Sequence, residues 1–108
     1  MSKYLVLYRS PTAAREQMAN ATPEQAKAGM DAWMAWAGKA GSAVVDLGAP
    51  LGTGEAVGSD TADDEISGFS ILDADTRADV VTLLEDHPHL HMPGASIEVH
   101  EFLSMPGM

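Results

Sequence analysis

The sequence contains no cysteine and few basic residues, and each absence excludes a class of function. Without cysteine, disulfides, thiolate metal ligands and cysteine nucleophiles are all excluded. Lys and Arg total 6 against 16 Asp and Glu, which gives a net charge of −10. Because the few cations are scattered, no basic stripe exists to neutralise phosphates, and we expect no nucleic-acid partner.

Long apolar runs are also missing. The apolar run in "MSKYLVLYRSP" is far too short for a signal sequence or for a membrane span, which needs about 20 residues. We therefore expect no membrane partner and a cytoplasmic location, with which the lack of cysteine is compatible. A chain of 108 residues that is 45% hydrophobic fits a single domain over residues 1–108.

Strand and helix signals follow one another in the order β-α-β-β-α-β. Thr22, Pro23 and Gln25 form a helix-start signature, and Asp75 is predicted to cap the second helix. Residues 49–65 are rich in glycine and acidic residues and are expected to form a loop, with a weak edge strand near residues 55–58. The predicted strands are residues 3–9, 42–48, 66–74 and 95–103, and the predicted helices are 22–41 and 76–87.

The first helix has an apolar stripe at helical spacing. We expect this stripe to face the core, with Trp36 at the edge of the stripe. Trp36 is then either additional core or an aromatic wall for a pocket or a subunit contact. The stripe residues are Ala26, Met30, Trp33, Met34 and Ala37.

The order of elements predicts an α+β fold of the ferredoxin-like βαββαβ type, an antiparallel sheet with two helices on one face. The other face is then uncovered, and the last strand places His100 and Phe102 on it. Covering that face with a second copy of the chain predicts a homodimer. In such a dimer His100 is expected to be an interior histidine, hydrogen-bonded across the interface.

Three blocks, "TPEQAKAGMDAWMAWAGKAGSAVVDLGAPL", "SGFSILDAD" and "HPHLHMPGASIEVHEF", resemble the YCII-related family, in the branch near the DGPF-motif proteins. The resemblance implies a dimeric α+β barrel of ferredoxin-like protomers, with a pocket beside each sheet that is lined by a histidine and an aspartate. Asp46 stands at the position of the aspartate. Gln25 replaces the histidine and no DGPF tetrapeptide is present, so only the aspartate carries over.

The stretch "LLEDHPHLHMPG" places His87, His89 and His91 at every second position. On an extended segment such residues point the same way and could bind a metal ion. A third protein ligand is missing, however, so we expect no metal and no cofactor. His87 is expected in the last helical turn, near the helix dipole, and His91 on the surface. His89, on a proline-stiffened turn, is the best candidate for a pocket residue that exchanges protons.

These patterns give two hypotheses. In the first, the protein binds a small molecule in a pocket beside the sheet and is an acid–base enzyme, with Asp46 and His89 as catalytic candidates. The alternative is a non-catalytic ligand sensor or dimeric interaction module. A cavity that encloses Asp46 and a histidine would favour chemistry, whereas a filled apolar core would favour the module. The predicted ligand-binding residues are Tyr8, Arg9, Trp36 and His87.

Overall fold

The computed structural model describes residues 2–12, 14–58 and 65–105. In these ranges, no helix is both long and apolar enough to span a membrane. Short 3₁₀ turns cover Gly41–Ala43 and Pro88–His91, and the second is called the 88–91 turn below. The strands are β1 (Ser2–Arg9), β2 (Val44–Pro50), β3 (Ile66–Ala74) and β4 (Ser96–Glu101), and the helices are α1 (Ala14–Asn20), α2 (Pro23–Ala40) and α3 (Arg77–Leu84).

The four strands form one antiparallel sheet in the order β2-β3-β1-β4. β1 lies between β3 and β4, so Leu7 is paired with Phe69 on one side and with Glu98 on the other. Helices α2 and α3 pack on the same face of the sheet, where Trp36 and Val80 join one core cluster. The predicted α+β, ferredoxin-like fold is confirmed.

The alternation of side chains along β1 separates the two faces of the sheet. Tyr4, Val6 and Tyr8 are buried under the helices, and the residues between them point to the other face. We call that other face the open sheet face, and its centre consists of Leu5, Leu7, Phe69 and Ile71, which form two cross-strand pairs. The core cluster on the helix side consists of Tyr4, Val6, Tyr8, Trp36, Leu72, Ala74, Val80 and Leu84.

Helix α2 begins as predicted but buries a different stripe. Thr22 Oγ1 accepts from the Gln25 amide at 3.1 Å and Gln25 Oε1 accepts from the Thr22 amide at 2.9 Å, so the capping box is confirmed. Met30 and Met34 were predicted to be buried, yet they are 61% and 53% exposed. The inward side instead carries both indoles, because residues 33, 36, 37 and 40 also recur at helical spacing.

Helix α3 is shorter than predicted. Its N-cap is Thr76 rather than Asp75, and Thr76 Oγ1 accepts from the Asp79 amide at 3.2 Å. The helix ends at Leu84, three residues before the predicted end at His87. Pro88 explains the early end, because a residue before proline is disfavoured in the helical region, and His87 has the extended angles φ −64° and ψ 137°.

Two further predictions about local structure were wrong. Helix α1 was not predicted, since "AREQMAN" lacks the cap and proline signals that mark the start of α2. The weak edge strand expected near residues 55–58 does not form, and these residues belong to a loop.

Candidate functional site

Four of the six predicted site residues meet on the helix side of the sheet. The ring of Tyr8, at the end of β1, lies 4.9 Å from that of His87 and 5.2 Å from that of His89, centroid to centroid. Trp36 of α2 lies 4.4 Å from His87. Trp33, which the sequence suggested only as core, lies 4.4 Å from His87 and 4.8 Å from Tyr8. We call these five residues the histidine–aromatic cluster.

His87 is completely buried at the centre of this cluster, so the prediction of a helix-end histidine near the dipole was wrong. Its Nδ1 accepts from the backbone amide of His89 at 3.0 Å, which places the proton of the neutral ring on Nε2. Burial lowers the pKa of His87 to about 4, and the neighbouring His89 adds to this effect while Asp86 opposes it.

Nε2 of His87 has no hydrogen-bond partner. Of the buried polar side-chain atoms in the described residues, it alone lacks one. The rings of Trp33 and Trp36 contact the His87 ring at interplanar angles of 85° and 60°.

His89 is fixed in one tautomer by the backbone. Its Nε2 lies 2.8 Å from the carbonyl oxygen of Arg9, and since a carbonyl only accepts, Nε2 donates the proton. Nδ1 of the neutral ring therefore carries a lone pair. The His89 residue as a whole is 5% exposed.

Tyr8 and Trp36 use their polar atoms to hold the cluster together. Ser70 Oγ donates to the carbonyl of Leu47 at 2.6 Å, so Tyr8 must donate to Ser70 Oγ, at 2.8 Å. Burial raises the pKa of Tyr8 to about 12. Trp36 Nε1 donates to the carbonyl of Leu83 at 2.8 Å. The Tyr8 hydroxyl, both indoles and the His87 ring are therefore uncharged near pH 7.

Arg9 contributes only its carbonyl oxygen to the cluster. Its guanidinium contacts Glu65 at 3.1 Å and Glu98 at 3.0 Å, on the side of the open sheet face. Glu98 also accepts from His100 Nε2 at 2.9 Å. His100 thus has its partner on its own strand.

Asp46 lies away from the cluster. It is paired with Ile71, a residue of the open sheet face, and its Oδ1 accepts from the Gly48 amide at 2.8 Å. Ile71 is in turn paired with Leu5, four residues before Arg9. Strand spacings of about 4.8 Å and a rise of about 3.3 Å per residue place Asp46 about 10 Å across and 13 Å along the sheet from Arg9.

Two shallow grooves lie on the surface of the described structure beside these elements. The larger, about 340 Å³, is lined by Arg15, Met18, Pro50 and Gly52. The other, about 280 Å³, is next to the cluster and is called the α3–β4 groove. Neither groove is lined by Asp46 or by a histidine. The walls of the α3–β4 groove include Val81, Leu84, Glu85, Leu90, Ile97 and Val99.

The 88–91 turn separates this groove from the cluster. Leu90 lines the groove while His89, before it, belongs to the cluster. Ile97 of the groove is paired with Tyr8 of the cluster. Within the described ranges, no group of three or more histidine or carboxylate side chains is placed to hold a metal ion.

No protein-family model and no curated protein matches the chain. The structure is similar to that of a 5-chloro-2-hydroxyhydroquinone dehydrochlorinase from Burkholderia phenoliruptrix AC1100, solved in complex with 2,5-dihydroxybenzoquinone. The two are 18% identical, the alignment covers 89% of this chain and 90% of that chain, and the TM-score is 0.49. A similarity of this strength carries no information about ligand or reaction, and membership of the YCII-related family stays a prediction.

Proposed function

We propose that the protein binds a small, apolar molecule without negative charge in the α3–β4 groove. The observation that supports this proposal is the groove itself, whose volume of about 280 Å³ is just below the roughly 300–1,000 Å³ typical of small-molecule sites and so fits only a small ligand. Its walls are mainly aliphatic, and Glu85 contributes the charge at its edge. A carboxylate there, in a chain of net charge −10, disfavours anions.

The packing of the cluster favours a binding module over an enzyme built on Asp46 and His89. Trp36, His87 and His89 are at most 5% exposed and fill the space between helix and sheet. Asp46 lies on another part of the sheet. The proposed ligand therefore lies beside the cluster and not between a carboxylate and a histidine.

Binding is tested with indole and benzoate as probes. We expect indole to shift the backbone amide signals of Ile97 and Val99 in a saturable way, and benzoate to bind more weakly because of Glu85. Val81→Asp, at a groove position that is 43% exposed, should abolish the indole effect. Val45→Asp, at a position 46% exposed outside the groove walls, is the matched control. Equal binding of both probes, or an unchanged response in Val81→Asp, would contradict the proposal.

A second candidate function, acid–base chemistry at His89, is supported by its fixed tautomer. The Arg9 carbonyl holds the proton on Nε2, so Nδ1 is the ring atom of the neutral His89 whose lone pair can accept a proton. Diethyl pyrocarbonate, which modifies unprotonated imidazole nitrogens, should therefore modify His89 but not His87 at pH 7. The exposed His91 gives the upper reference rate. A His89 as inert as His87 would exclude it as a base.

We also propose a homodimer formed by the open sheet face. Leu5, Leu7, Phe69 and Ile71 are half-buried there, and helices α2 and α3 both pack on the opposite face of the sheet. The two basic residues of β1 on this face stand next to carboxylates, since Lys3 is paired with Asp73 and the Arg9 guanidinium contacts Glu98.

Light scattering at micromolar concentration tests the dimer. We expect twice the chain mass for the wild type and the single mass for Phe69→Asp, which puts a charge at the centre of the face. Val81→Asp, on the opposite side of the molecule, should remain dimeric. A monomeric wild type would eliminate this interface.

A further inference from the structure

We propose that His87 positions His89, and that it does so only while its own ring is neutral. His87 is the N-cap of the 88–91 turn, and its Nδ1 accepts the amide proton of His89. The same turn brings His89 Nε2 to the carbonyl of Arg9. One hydrogen bond to His87 thus holds the backbone of the residue that we propose as acid–base group, and in that respect the inference rests on the proposed function.

Protonation of His87 reverses this interaction. A protonated Nδ1 is a donor and would face the amide N–H of His89, itself a donor, in a space that excludes water. The turn then loses its cap, and the ring carries a charge at a buried position, where desolvation disfavours it. Both effects favour release of the turn from β1 and α2.

The charged groups around His87 compensate such a charge only in part, because Asp86 favours the protonated ring while His89 and His91 disfavour it. On its own segment it faces His89, His91 and Asp86, and Asp86 is paired with Lys39 of α2. From β1 it faces Tyr8, whose pKa of about 12 keeps it neutral. The residues of α2 in ring contact with it are the uncharged Trp33 and Trp36.

Release of the turn has a defined pH range. The pKa of His87 is about 4 in the folded cluster against 6.5 for a free histidine. The open population therefore rises as the pH falls below about 6.5 and levels off below about 4, with a total increase of about 300-fold. In this range His89 leaves the Arg9 carbonyl, and the cluster becomes continuous with the α3–β4 groove.

Hydrogen exchange of two backbone amides tests the proposal without any ligand, so its failure is distinguishable from failure of the binding proposal. Protection factors are measured for His89 and, as a core reference, for Leu72 of β3 between pH 7 and pH 4. We expect the His89 protection factor to fall by up to about 300-fold and to stay below that of Leu72 at every pH, because local release exposes His89 at a lower free-energy cost than global unfolding exposes the core. A pH-independent His89 amide, or a His89 protection factor equal to that of Leu72, would overturn local release.

Two variants test whether His87 controls the position of His89 through its hydrogen bond or only through packing. In His87→Asn the side-chain oxygen can accept the same amide proton but does not titrate, so His89 should stay protected down to pH 4. His91→Asn removes an exposed histidine of the same turn and should behave as the wild type. If His87→Asn kept the wild-type pH profile, His87 would not be the group that controls the turn. The comparison of the two amides in the wild type decides the question even if this variant does not fold.

Discussion

Replacing Trp36 by Phe tests the contact between helices α2 and α3, which cover one face of the sheet. The Trp36 N–H bonds the carbonyl of Leu83, which lies in the last turn of α3 and has no partner within its own helix. The variant loses a hydrogen bond worth about 1 kcal/mol and leaves the carbonyl partly desolvated, at a further cost of about 1 kcal/mol. The smaller ring adds about 1 kcal/mol, which makes a total loss of about 3 kcal/mol in the free energy of unfolding.

Trp33→Phe is the matched control on the same helix. Trp33 is only partly buried and packs against Tyr8 and His87 by its ring, so the same substitution should cost about 1 kcal/mol. The chain has two tryptophans, so each variant keeps one, and its fluorescence during urea unfolding measures the loss of stability in each variant. Equal costs for the two variants would show that the bond to Leu83 does not anchor α3.

Three further predictions concern pH and backbone. Because the pKa of His87 is lowered to about 4, unfolding takes up a proton as the pH falls from 6.5 to 4. Over this range the free energy of unfolding, measured with urea at each pH, should fall by up to about 3 kcal/mol more in the wild type than in His87→Asn. Because the pKa of Tyr8 is raised to about 12, unfolding releases a proton above pH 10, and up to about 3 kcal/mol should be lost between pH 10 and 12, but not in Tyr8→Phe. Gly48→Ala should lower the free energy of unfolding, measured by thermal unfolding, by more than about 2 kcal/mol, because Gly48 has φ +82° and an added Cβ would collide with the Phe69 carbonyl. Gly38→Ala, in open space on α2, should instead raise it by up to about 1 kcal/mol.

Apart from α1, the order of helices and strands could be predicted because most of their start signals are encoded locally. The capping box at Thr22 and the alternation in β1 and β3 each need only a few neighbouring residues, and they determine the fold class once combined. The start of a helix is harder to predict where two neighbouring residues can both act as the N-cap. Asp75 and Thr76 can both accept an amide proton, and the choice depends on one residue of register, which the sequence alone does not determine.

The buried stripe of α2 could not be predicted because two stripes satisfy the same period. The predicted stripe of Ala26, Met30, Trp33, Met34 and Ala37 recurs at helical spacing, and so do residues 33, 36, 37 and 40. The structure selects the stripe that holds both indoles, with Trp36 buried and Trp33 partly buried, and leaves the methionines exposed. Aromatic area decides the orientation, since each indole removes more apolar surface from water than a methionine.

The three histidines of "HPHLH" have different environments because the segment is not extended. On a strand, alternate residues share a face, and that geometry suggested convergence. In a 3₁₀ turn each residue advances by about 120°, so His89 and His91 diverge, and His91 is exposed while His89 is buried. His87 precedes the turn and points back into the core as its cap. Pro88 determines this arrangement: it ends α3 early, keeps His87 extended and starts the turn. A histidine expected in the last helical turn thereby becomes the buried hydrogen-bond acceptor for the amide of His89.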